Sequence, residues 1–174
     1  MPKKNILDLL RGGDLRSLGR ANAAAASVSK NSRLFPGLMR GLWSEDPVVR
    51  SRAADAIEKI TRDKPALLAP YKSELLGLMP EIQQQEVRWH LALMAPRLAL
   101  SPAERKLAIS FLYDYLHDRS SIVRTHALQG LADFARSDDA LRPRVIELLR
   151  QTARIGSAAV KARSRKLLLI LDRS

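Results

Sequence analysis

One pattern recurs through this chain and limits what it can fold into. Asp46 to Thr61 reads D-P-V-V-R-S-R-A-A-D-A-I-E-K-I-T. Val49, Ala53, Ala56, Ile57 and Ile60 fall on one apolar stripe of an α-helix. Asp46 suits the N-cap, and Pro47 suits the first turn, where a missing N–H costs nothing. The same arrangement returns at Gln85 (Q-E-V-R-W-H-L-A-L-M-A), Ser121 (S-I-V-R-T-H-A-L-Q-G-L) and Ala159 (A-V-K-A-R-S-R-K-L-L). Aligning the Val-Arg/Lys pairs puts Val49, Val87, Val123 and Val160 in register, 38, 36 and 37 residues apart. Near-constant spacing of that size marks a repeat array, in which one two-helix unit cannot bury its apolar face alone and stability comes from stacking.

The 174 residues are 46% hydrophobic but only 5% aromatic. The core is therefore expected to be aliphatic, which suits helix-on-helix packing. There is no cysteine, so disulfides, thiolate metal sites and cysteine nucleophiles are excluded. The N-terminus M-P-K-K-N-I-L-D has no long apolar region and no run approaches membrane-spanning length, so a cytoplasmic protein without membrane contact is expected. The net charge of +12 is uneven, with +6 in residues 1–44, −1 in 45–139 and +7 in 140–174. A basic excess at both ends favours phosphates or acidic surfaces.

Along the chain, Asn5 to Leu10 reads as a short amphipathic helix stopped by Gly12-Gly13. Asp14 is expected to cap a second helix running to about Val28 through the alanines 23–26. This pair lacks the Val-Arg signature and reads as an atypical capping repeat over 1–33. Four regular repeats follow over 34–174, with first helices at about 34–43, 66–79, 102–117 and 140–153. Pro70 and Pro143 start or kink theirs. No segment looks like a flexible linker, and 1–174 reads as one domain.

A helix–loop–helix unit near 37 residues, with an acidic loop and Val-Arg opening the second helix, resembles a HEAT repeat. L-W-S-E-D-P-V-V-R-S-R-A-A-D-A-I and L-H-D-R-S-S-I-V-R-T-H-A-L-Q-G-L carry the resemblance best, and it covers about residues 34–173. The chain is similar to small stand-alone bacterial HEAT-repeat proteins of unassigned activity. The resemblance implies an all-α fold, a right-handed α-α superhelix of about five helical pairs. It also implies a ladder of loop acids and arginines tying units together, formed by Asp46, Arg50, Arg88, Asp118 and Arg124. The last unit departs from it, with Lys161 for the arginine and Gly156-Ser157 for the acidic loop.

Catalytic signatures are absent from the sequence: no H-E-x-x-H, no phosphate-cradling G-x-x-x-x-G-K-[ST], no G-x-S-x-G elbow. Gly12-Gly13 follows no strand and reads as a helix-ending turn. Asp114, His117 and Asp118 share a helix face, which reads as a solvated helix end rather than a metal or acid–base cluster. Three residues after each signature valine stand Arg52, His90, His126 and Arg163, a column at the edge of the buried stripe. The resemblance puts that column near the concave side. It reads either as polar residues flanking the core or as a pH-sensitive or metal-binding histidine pair. Trp89 reads equally as a binding anchor or as ordinary packing.

The expectation is a non-enzymatic protein-interaction scaffold with no cofactor and no metal. Its candidate partner-binding residues are Arg52, Trp89, His90, Arg97, His126, Arg163 and Lys166. The alternative is weak, salt-dependent nucleic-acid binding through the basic ends, within which the DNA glycosylase activity known in HEAT-like proteins is remote; a third reading makes the chain a subunit of a larger bacterial complex. Leu167 to Leu171 are five apolar residues in succession, too wide a stripe for one packed face; a second copy of the chain, a partner or a more deeply sunk helix would cover it, and self-association is the favoured expectation.

Overall fold

The computed structural model describes residues 5–172; the ends of the domain expected over 1–174, residues 1–4 and 173–174, lie outside the described residues. Among these every regular element is helical, and none is long and apolar enough to cross a membrane. The chain forms two compact units, divided between Tyr71 and Lys72.

In the first unit a 3-10 turn (Ile6–Leu9) leads through a loop to α1 (Ala21–Lys30). The short helix α2 (Phe35–Met39) runs on into a 3-10 turn (Arg40–Trp43). Next come α3 (Pro47–Asp63) and a 3-10 segment (Pro65–Tyr71). Asp46 caps α3 as the sequence implies, its Oδ1 accepting from the Val48 amide at 2.8 Å. α1 packs on α3, and Leu10, Val28, Leu38, Leu42, Val49 and Ile57 are buried.

The expected helix from Asp14 does not form; residues 11–20 are a loop and α1 starts only at Ala21. Asp14 does cap, but it closes a turn, with Oδ1 accepting from the amides of Arg16 (3.0 Å) and Ser17 (3.1 Å). Two carbonyls of that stretch, those of Asp14 and Ser17, and two before it are held by one side chain. Arg52, only 3% exposed, donates from Nη1 to Leu10 O (2.8 Å) and Gly12 O (2.6 Å). It also donates from Nη2 to Asp14 O (3.3 Å) and from Nε to Ser17 O (3.2 Å). Gly19 is left-handed at φ +49, and a Cβ there would lie 2.5 Å from the Arg52 guanidinium carbon.

The second unit comprises α4 (Lys72–Glu81), α5 (Gln85–Met94), α6 (Pro102–Tyr115), α7 (Ser121–Ala135), α8 (Arg142–Ile155) and α9 (Ala158–Leu171). α5 packs on α7 and α7 on α9, so the Val-Arg helices form one row. α4 packs on α6, α6 on α7, and α8 on α9. The first helices thus begin where the prolines allow: Pro143 sits in the first turn of α8, and Pro70 lies in the 3-10 segment before α4. Val87, Val123 and Val160 are buried, as Val49 is in the first unit. Two of them are set in place by a cap, since Ser120 Oγ accepts from the Val123 amide (3.5 Å) and Ser157 Oγ from the Val160 amide (3.4 Å). Gly130 lets α7 approach α5, because a Cβ there would meet the Ala92 carbonyl oxygen at 2.5 Å.

Candidate interaction face

The signature valines turn toward the core, so the residues three positions later on α5, α7 and α9 (His90, His126 and Arg163) lie part-buried at the rim of the row, with Trp89 next to the first of them. Trp89 is half-buried there. Its indole lies over the His126 imidazole, ring centres 6.5 Å apart and planes 30° apart, and meets His90 edge-on at 5.8 Å. The Nδ1 of His126 lies 2.8 Å from the Ile122 carbonyl. A carbonyl only accepts, so Nδ1 carries the proton and Nε2 is the acceptor of the neutral ring. Two helices and three rings therefore make one cluster.

Further along the same helices a polar chain runs from α9 to α7. Arg163 Nη1 donates to Gln129 Oε1 (2.7 Å), and Gln129 Nε2 donates to Asp133 Oδ1 (2.9 Å). Burial pushes the Asp133 carboxyl above the usual carboxylate range, against the Gln129 hydrogen bond and the positive charges of Arg136, Arg97 and Arg163. Three guanidiniums around one carboxylate leave the region net positive. Lys166, one turn on from Arg163, is exposed.

The structure thus brings together Trp89, His90 and His126, and groups Arg97 and Arg163 with Asp133. Arg52 is the correction: it belongs to the first unit's interior, where its donors face backbone carbonyls, and is not a surface residue. Its place in the column gave no warning, because the loop that buries it is about 40 residues away in sequence. Of the ladder residues, Arg88 spans two repeats, its Nη1 donating to Asp118 Oδ2 at 2.6 Å. Arg50 Nη1 donates to Ser44 O (2.6 Å), and Arg124 Nη1 to Asp118 O (2.6 Å), each closing the loop before its own helix. Asp46 serves as the α3 cap.

Sequence reasoning missed two further ties, one between the first helices of neighbouring repeats and one that holds α6 to the end of α7. Lys72 Nζ donates to Glu104 Oε2 (2.9 Å), and Arg105 Nη2 donates to Asp138 Oδ2 (3.3 Å) and to Phe134 O (2.7 Å). Lys72 and Arg105 stand at different distances before their signature valines, 15 and 18 residues, so the repeat register gave no signal for these ties. Gln129 and Asp133, four apart on one helix face, were readable as a pair.

Chemically, the face offers stacking and charge. Among the described residues no three His, Asp or Glu side chains stand together as a metal site. A cleft of about 280 Å³ in the first unit is lined by Ile6, Leu9 and Leu34 with Asp8, Arg20 and Ser27. Its hydroxyl, Ser27 Oγ, is spent on the Ala23 carbonyl at 2.9 Å.

No family model matches this chain, and no curated protein matches it. A crystal structure described as an engineered protein, from the Northeast Structural Genomics Consortium, is similar in fold. It is 17% identical with a TM-score of 0.66, over 97% of this chain and 80% of that one.

Proposed function

We propose that this chain is a non-enzymatic protein-interaction module of a small bacterial, cytoplasmic kind, built as a HEAT-like right-handed solenoid and binding another protein through the α5–α7–α9 face. The observation that carries the reading is the make-up of that face. An aromatic–imidazole cluster of α5 and α7 at Trp89 shares the row of Val-Arg helices with a half-buried Asp133 among arginines. Trp and Arg are the residue types enriched at protein interfaces and their hot spots. The polar groups are engaged with one another rather than poised on a reacting atom: Arg163 on Gln129, Gln129 on Asp133, His126 on its own helix. The regular spacing of the valines, and the side-by-side row of the helices they open, support the solenoid.

The second reading, nucleic-acid binding, is favoured by one observation. α9 carries Lys161, Arg163, Arg165 and Lys166 with no acid before Asp172. A phosphate track along all three helices would be broken at Asp133, so this reading yields weak binding with a steep salt dependence and no sequence preference. Titration of duplex DNA and of RNA at low and physiological salt separates the two. The expected result is binding at low salt only, reduced by Arg163→Glu with Lys166→Glu and indifferent to Trp89→Ala. Tight, sequence-selective binding at physiological salt that Trp89→Ala removes would make nucleic acid the partner instead.

A further inference from the structure

The 37-residue register between α7 and α9 allows a comparison of what each helix buries. On α7, Thr125, Leu128, Ala132 and Ala135 are all buried. They lie on the side turned away from Gly130, which faces Ala92 of α5, and so on the side where α8 and α9 pack. Thirty-seven residues on, the same stripe of α9 is Ala162, Arg165, Leu169 and Asp172. All four are exposed, Leu169 at 60%, with Ile170 beside it at 36%. α9 therefore presents to solvent the surface with which α7 receives a helix. Leu169 is a large apolar side chain at the middle of that face, while Ile170 lies on the flank that carries Arg163.

The residues on this stripe say what fits it. We propose that it seats the same stripe of a second copy of this chain, the two α9 helices crossing antiparallel about a two-fold axis between Leu168 and Leu169. Arg165 and Asp172 lie equally far on either side of that point, about 5 Å along the helix at 1.5 Å per residue. An antiparallel pair therefore sets Arg165 of each copy against Asp172 of the other, and Leu169 against its own counterpart. A parallel pair would set Arg165 against Arg165 and Asp172 against Asp172. The stripe is self-complementary in one orientation, as an isologous contact requires. One helix face buries less than a permanent dimer does, so the association is reversible and concentration-dependent. It involves a different stripe of α9 from Arg163 and does not depend on the partner-binding reading.

The test is sedimentation equilibrium or light scattering of the full chain across a concentration series, with circular dichroism to verify folding of each variant. The expected result is a monomer–dimer equilibrium that Leu169→Asp abolishes. Arg165→Asp and Asp172→Arg should each weaken it roughly tenfold, and the two combined should restore it to within about threefold. Because the chain has no cysteine, Leu169→Cys should give one disulfide-linked dimer on mild oxidation, whereas Ala159→Cys, also exposed on α9, should not. A wild-type chain that stays monomeric to its solubility limit overturns the proposal. So does a dimer indifferent to Leu169→Asp, or a charge swap that fails to restore association.

Discussion

Arg88 and Asp118, thirty residues apart, meet at 2.6 Å while each also fixes its own loop. Arg88 Nε donates to Ile82 O at 2.7 Å, and Asp118 Oδ1 accepts from the Ser120 amide at 2.8 Å. The guanidinium lies 5.3 Å from the centre of the Tyr115 ring, whose hydroxyl donates to Met79 O at 2.7 Å. The acid side chain is 6% exposed. Removing one partner strands the other away from water, which costs more than the pair itself contributes. Arg88→Ala and Asp118→Ala should each lose about 2–4 kcal/mol in urea unfolding, and the double variant should lose less than the sum by roughly 1 kcal/mol or more. Additive losses would mean the two residues act separately.

Arg52 should matter more to local order than to any surface contact. Its short donor contacts hold the 11–20 loop, which otherwise is fastened mainly by its own Asp14 and Ser17 turns. Arg52→Met leaves those carbonyls without a shared donor, and trypsin should then cut at Arg11, Arg16 and Arg20 several-fold faster than in the wild type. Arg52→Lys should rescue little, because an ammonium cannot reproduce the planar fork. Unchanged cleavage would show that the loop holds itself.

The contrast between Arg50 and Arg52 marks how far the sequence is informative. The Val-Arg register, the Asp46 cap and the burial of the four valines follow from local periodicity and cap chemistry, which act within a turn or two. Arg50, expected in a ladder between units, donates from Nη1 to the loop before its own helix. Arg52 is the same residue type on the same helix, yet it is interior because a distant loop folds over it. Helix propensity favoured the stretch after Asp14, but Gly19 is left-handed there and the Arg52 guanidinium fills the space beside it. Trp89 was similarly ambiguous, since only its placement beside His126 on the next Val-Arg helix joined it to a cluster.

Gly130→Ala should be destabilising although alanine is the better helix former. The gain of about 1 kcal/mol in propensity is opposed by a Cβ placed 2.5 Å from the Ala92 carbonyl, and overpacking of that kind costs about 1–3 kcal/mol. A lowered thermal midpoint is expected, with Gly77→Ala, whose added Cβ meets nothing, as the helical control that should not lose stability. A stabilised Gly130→Ala would contradict the close approach of α7 to α5.

Asp133 gives a pH signature of known sign. Its folded pKa is raised, chiefly by burial, so the folded state holds the proton more tightly than the unfolded state. Its contribution is therefore fully present below the ordinary carboxylate pKa and is lost as pH rises through the raised value. Asp133→Asn should remove that dependence and leave the chain relatively more stable at neutral pH than at acid pH. Asp138 works in the opposite sense. The Leu141 amide and Arg105 lower its pKa, so its contribution is lost as pH falls. Parallel urea titrations between about pH 3 and 7 check both, and a neutral-pH loss in Asp133→Asn would mean that its charge is needed by the surrounding arginines.

The most direct test of the interaction reading is quantitative affinity capture with nuclease-treated extract, comparing wild type with Trp89→Ala and with Arg163→Glu, each verified as folded. The account predicts a protein partner that survives nuclease, is lost with Trp89→Ala, and binds the purified wild-type chain directly. Capture that disappears on nuclease treatment, or a directly binding partner retained unchanged by Trp89→Ala, would contradict it.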